Sequence, residues 1–176
     1  GVGNYTEDDI KNAARAFTGW TFKQPLSLYP YGHHEADFVF DENDHDYEEK
    51  TFLGQKGNFN GEDIIEIIVS EPATATFVSR HLYNFFIEDE VQVPSWETVD
   101  PKDPQLIGLL SDTFLQYEGD MREVLKVLFN SESFKNAFDK PKVKSPTELV
   151  VGVIKQTGEF NNPTPGIHEF AVTSLN

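Results

Sequence analysis

The 176 residues carry 30 acidic against 14 basic side chains, a net charge of −16, which argues against nucleic acid and anionic membrane surfaces as partners. Cysteine is absent, so disulfides, thiolate chemistry and Cys-type zinc sites are excluded. The length fits one domain with one sizeable core, and no run approaches the ~20 apolar residues of a membrane span. The acidity reads as solubility or adaptation to salt, or as attraction for cations and basic partners. The chain opens with Gly-Val-Gly-Asn, without a signal-peptide pattern. A start without Met predicts a processed chain or an excised piece.

"YTEDDIKNAARAFTGW" predicts a helix. Thr6 is a natural N-cap with Asp9 three residues later, as in a capping box. Glu7, Asp8 and Asp9 suit the positive end of the helix dipole. Ile10, Ala13, Ala14 and Phe17 share a face, and Gly19 can end the helix. From Trp20 to Leu53 the helical period disappears, and "GWTF", "ADFVF" and "KTFL" predict two or three short strands. The link "DENDHDYEE" sits where a hairpin turn would join the last two.

After Gly57 the pattern is helical again. "NGEDIIEIIVS" starts at an Asn60 cap, with Ile64, Ile67 and Ile68 inward. "SEPATATFVSRHLYNFFIED" takes Ser70 as cap and Pro72 in its first turn, with Ala75, Val78, Leu82, Phe85 and Phe86 as its stripe. "PQLIGLLSDTFLQYEG" places Leu106, Leu110, Phe114 and Tyr117 on one face. Asp120, Ser131 and Ser145 cap the helices that follow, the last with Pro146 and Glu148 behind it. "DKPKVK" is a basic linker. Ile167, Phe170, Ala171 and Leu175 keep a helical period at the end. The expected fold is mainly α: a single helical domain over residues 1–176, an orthogonal or antiparallel multi-helix bundle, with a β-hairpin insertion over residues 20–54 after the first helix.

The candidate chemistry gathers in that insertion. His33, His34 and His45, with Asp46 or with Asp41 and Asp44, could converge as a mixed nitrogen and oxygen metal site for Zn. Exposed loop histidines are the plainer reading, and no bound cofactor is the expectation. For Ca, "DENDHDYEEKTF" fails the EF-hand template, since Asp46 occupies the glycine position and Phe52 the final Glu position. An irregular Ca site is the remaining option. Adjacent His45 and Asp46 do not by themselves make an acid–base pair, because a catalytic dyad is made in space. Asp46 is expected to cap a turn by accepting backbone N–H groups, with Lys50 paired to a loop carboxylate. No Gly-x-Ser-x-Gly, phosphate-binding loop or dinucleotide fingerprint occurs. His81 reads as an ordinary helix histidine, and Trp20 as a lid over the first helix.

Taken in order, "GNYTEDDIKNAARAFTGW", "HDYEEKTFLG", "GEDIIEIIVSEPATATFVSRHLYNFF", "FNSESF" and "KVKSPTELVVG" resemble the DUF1800 family, a bacterial family of unknown function. The resemblance runs from Gly3 to Gly158, with His45, Asp46, Lys50 and Gly54 on matching positions. It implies a middle-to-C-terminal portion of a longer protein, because members carry a helical region before these segments and a Pro-Pro…Gly-Trp motif after them. It further implies an extracytoplasmic setting, since members often carry export signals. A protein partner is implied by a sulfatase-like family encoded beside them. Where members often have a small residue after the His-Asp pair, this chain has Tyr47, Glu48 and Glu49. Two functions follow as expectations. The first is an exported accessory or protein-interaction module that exposes an apolar patch. The alternative is a metal-assisted hydrolase built on His45 and Asp46 with His33 or His34, and with Lys50 as a further catalytic candidate.

Overall fold

A computed structural model of the chain describes residues 3–23, 37–140 and 142–158. The order is α1 (Glu7–Ala16), β1 (Trp20–Lys23), β2 (Asp37–Phe40), β3 (Lys50–Phe52), β4 (Gln55–Gly57), α2 (Gly61–Val69), α3 (Pro72–Phe86), α4 (Pro104–Gln116), α5 (Met121–Asn130), α6 (Glu132–Lys135) and α7 (Pro146–Thr157). The fold is therefore mainly α, with its β-structure inserted after the first helix. The helix expected through Ile167 and Leu175 lies outside the described residues, as do His33, His34 and His168.

Helix starts follow local side-chain chemistry. Asp9 N–H donates to Thr6 Oγ1 at 3.1 Å, and Thr6 N–H donates back to Asp9 Oδ2 at 2.7 Å. The same reciprocal capping box forms between Asn60 and Asp63 and between Ser145 and Glu148. Asp103 and Asp120 cap α4 and α5. One expected cap differs. Ser70 ends α2, its hydroxyl donating to the Glu66 carbonyl at 2.9 Å, and Glu71 is the residue that precedes α3. Pro72 at the first helical position keeps the residue before it extended, and Glu71 has ψ 128°.

The four strands form two separate antiparallel pairs. β1 faces β2 from Trp20↔Phe40 to Lys23↔Asp37. β3 faces β4 from Lys50↔Gly57 to Phe52↔Gln55. The tight turn of the second pair is Leu53-Gly54, with φ of 45° and 80°, the left-handed geometry that a two-residue hairpin turn needs. The segment between Asp41 and Glu49 is thus no hairpin turn, because the strands on either side of it belong to different sheets. The strands also continue past residue 54, to Gly57.

Two apolar clusters organise the helices. Ala16, Phe52, Ile64 and Ile67 join α1, β3 and α2. Trp20 lies against this unit, with Phe17 edge-on at 5.0 Å. A Cβ on Gly61 would lie 2.6 Å from ring atoms of both Phe17 and Trp20, so only glycine lets α2 start this close. The larger cluster spans α3, α4 and α5, around Ala75, Tyr83, Leu110, Phe114, Val124 and Leu128. Its rim is fastened by ions. Glu88 pairs with Lys102 and Lys140, Asp89 with Lys142, and Glu90 with Arg80. The basic linker is therefore the counter-charge of the acidic run that follows α3.

Candidate functional site

The His-Asp segment is built onto the end of α1. Arg15, in the last turn of that helix, grips Asp46 with two donors: Nε to Oδ2 at 2.7 Å and Nη2 to Oδ1 at 3.3 Å. Thr18, just beyond the helix, holds the same segment by its main chain. Its hydroxyl accepts from the Asp46 N–H at 2.8 Å and donates to the Arg15 carbonyl at 2.6 Å. The Thr18 carbonyl lies 2.8 Å from His45 Nδ1, which places the donated proton on that nitrogen. The imidazole stands edge-on between Phe40 at 5.2 Å and Tyr47 at 4.6 Å. Gly19 permits this closeness: with φ +81°, a Cβ there would meet the Asp41 carbonyl oxygen at 2.6 Å and His45 Cβ at 3.1 Å.

Asp46 also shapes its own loop. Oδ1 accepts from the Glu48 N–H at 2.9 Å, an Asx turn. Lys50 closes the loop from inside, at 1% exposure. Its ammonium donates to the Glu48 carbonyl at 3.0 Å and to the Asp46 carbonyl, with the Asp46 carboxylate 3.9 Å away. The Arg15 guanidinium, followed by the Glu48 N–H, holds the Asp46 carboxyl down at about 2. Burial lowers the Lys50 pKa, and the Asp46 charge partly offsets this. The expected turn-forming role of Asp46 and the Lys50 pairing are both present, with main-chain carbonyls as the principal partners of Lys50.

The sequence-level candidates thus separate. His45, Asp46 and Lys50 come together as a clamp that fixes the insertion to α1, while His33 and His34 lie outside the described residues. Among the described residues, no three His, Asp or Glu side chains group as metal ligands. His81 is a surface residue, edge-on to Phe77 at 4.4 Å and tilted on Trp96 at 4.6 Å. Arg15 and Thr18, the clamp's other half, went unread in the sequence. The signal for Arg15 was a lone cation in a last helical turn that is otherwise made of alanines.

The second feature is a groove of about 620 Å³ between α1, the β3–β4 turn and the α2–α3 junction. Tyr5, Ile10, Leu53, Ile68 and Phe77 line it, with Asp9 and Glu71 as its charged groups. Ile10, on the apolar face of α1, and Ile68, expected to face inward, are 54% and 39% exposed, and Phe77 is 46% exposed. The sequence contained a signal for this: the apolar stripes of residues 10–17 and 64–68 are wider than one core contact needs. Beyond the groove, the Phe77–His81–Trp96 row carries the aromatic surface along α3.

A mainly helical chain with a clamped β insertion and an open apolar groove is the class these features define. The chain belongs to the DUF1800 family, described as "Protein of unknown function (DUF1800)", whose model matches residues 1–174. That match takes in nearly the whole chain, wider than the segments from Gly3 to Gly158. It corrects the expectation that only a middle-to-C-terminal portion of the family is represented. Arg15 and Thr18 lie in "GNYTEDDIKNAARAFTGW" and His45, Asp46 and Lys50 in "HDYEEKTFLG", so the clamp joins two of the segments on which the resemblance rests. No curated protein and no solved structure matches the chain. Among the described residues no helix is long and apolar enough to cross a membrane.

Proposed function

We propose that the chain is an accessory module that binds a protein partner through the groove bounded by α1, α2 and α3, in an extracytoplasmic setting. One observation carries this reading: Tyr5, Ile10, Ile68 and Phe77 are exposed together around one concavity. Exposed apolar surface gathered in one place marks an interaction site more often than scattered single residues do. The clamp supports the reading in another way. It engages His45, Asp46 and Lys50 in fastening residues 45–50 to the end of α1, while the Leu53 N–H donates to Asp9 Oδ1 at 2.8 Å at the groove's edge.

The test is a photo-crosslinking residue placed at Phe77, with Phe138, exposed and outside the groove's lining, as control, in cells that express the chain from its own locus. A discrete adduct with one protein at position 77, outside the cytoplasm and absent at position 138, is expected. Equal labelling at both positions, or none at position 77, would count against the module. The reading also expects no stoichiometric metal. One equivalent of Zn or Ca in protein purified without chelator, lost on His45→Ala, would put the metal-assisted hydrolase first.

A further inference from the structure

Resting on that reading, we infer that the groove's occupant is an amphipathic helix of another protein, with Lys or Arg flanking its apolar anchors. The floor asks for apolar anchors, and the wall asks for a helix. Ala73, Phe77 and His81 follow one another at four-residue steps along α3, an exposed ridge of about 12 Å. Such a ridge packs into the grooves between the ridges of a second helix, and an amphipathic helix laid in an apolar groove is a recurring mode of peptide recognition.

Charge selects the flanks. Among the described residues, the charged side chains lining the groove are both carboxylates, Asp9 and Glu71. The Asp9 carboxyl is held ionised by the Thr6 hydroxyl, the Thr6 N–H and the Leu53 N–H. Glu7 and Asp8 extend the acidic border along the first turn of α1. The chain's own cations are largely spent within it: Lys11 on Asp8, Arg15 on Asp46 and Glu48, Arg80 on Glu90, and Lys102, Lys140 and Lys142 on Glu88 and Asp89. What is left is a surface of net charge −16 around an apolar floor.

The same charge disfavours the other occupants. A second copy would bring a second acidic rim to the first. Residues 159–176 contain Glu159 and Glu169 and no Lys or Arg, so they offer the rim no counter-charge. A basic helix gains attraction over roughly a Debye length, about 10 Å at 0.1 M salt.

Three synthetic peptides test this, with one shared Leu and Phe stripe at helical spacing and Lys, Gln or Glu at the flanking positions. Binding to the full chain is measured by calorimetry at low and high salt. The Lys peptide is expected to bind about tenfold tighter than the Gln peptide at low salt, with the gap closing at high salt. Phe77→Ala should weaken it about tenfold. Glu71→Gln should weaken it more than Glu132→Gln, a change of equal charge on α6. Melting temperatures equal to the parent's confirm that the variants are folded.

Equal binding of the Lys and Gln peptides, with Phe77→Ala still weakening both, would overturn the charge inference and leave the groove reading standing. Equal loss from Glu71→Gln and Glu132→Gln would reduce the attraction to bulk charge and overturn it as well. An adduct from position 77 to residues 159–176, or to a second copy, would name a different occupant. If Phe77→Ala leaves every peptide unchanged and no adduct forms at position 77, the groove reading falls too.

Discussion

Lys50 is a cation enclosed by protein that spends its donors on two main-chain carbonyls. Lys50→Met keeps the stem and removes the donors, leaving those carbonyls without their partner. A loss of about 1–3 kcal/mol in urea unfolding is expected. Asp46 gives a pH-dependent counterpart. Its carboxyl sits at about 2 in the folded chain against an ordinary 3.8, so its contribution is complete above about 4 and fades as the pH falls through 2. The unfolding midpoints of the parent and of Asp46→Asn should therefore differ most at neutral pH and converge toward pH 2. The turn-forming role of Asp46 was legible because Glu48 is two residues away, within reach of any Asx turn. Its bond to Arg15 was not, because 31 residues separate the pair and only the folded chain fixes their distance.

Individual elements show the same division between local and distant causes. The capping boxes at Thr6, Asn60 and Ser145 need only residues three apart, and all are readable in the sequence. Ser70 misled because a hydroxyl serves the end of one helix as readily as the start of the next, and the decision fell to Pro72. The strand partners were illegible because the 41–49 segment makes its bonds to Arg15 and Thr18, outside the β-structure. α2 depends on a contact of the same distant kind. Gly61→Ala drives a methyl into Trp20 and into Phe17, the latter packed on the cluster around Ala16. A cost of about 1–3 kcal/mol is expected, read as a lower thermal midpoint, with Trp20 fluorescence reporting the displaced ring. Gly108→Ala meets open space and serves as the helical control, gaining a few tenths of a kcal/mol or more from helix propensity.

Across the whole molecule, charge is arranged and not merely abundant. Glu88, Asp89 and Glu90 together draw cations from α3, from the loop before α4 and from the linker before α7, and the last pair is the deepest, with Arg80 Nε 2.6 Å from Glu90 Oε2 and the guanidinium 4.8 Å above Trp96. Arg80→Met leaves a buried carboxylate without its partner and should cost about 3–5 kcal/mol. Adding Glu90→Gln should return much of that loss, and additive losses in the double-variant cycle would show that the two residues act independently. The helical class was legible from period and caps, and the groove only as a surplus of apolar residues on two stripes, since a stripe does not say which of its residues find a neighbour. The clamp carries one more consequence, for the chain in pieces. Arg15 and Thr18 precede residue 24 and His45, Asp46 and Lys50 follow residue 36, so a cut between Lys23 and Asp37 leaves one jaw on each fragment. Two such fragments, expressed separately, should find each other and reconstitute α1 against β3, and Arg15→Met should abolish that complementation. A cut between Gly57 and Asn60 leaves both jaws on one fragment, whose reassociation with the rest should be indifferent to Arg15.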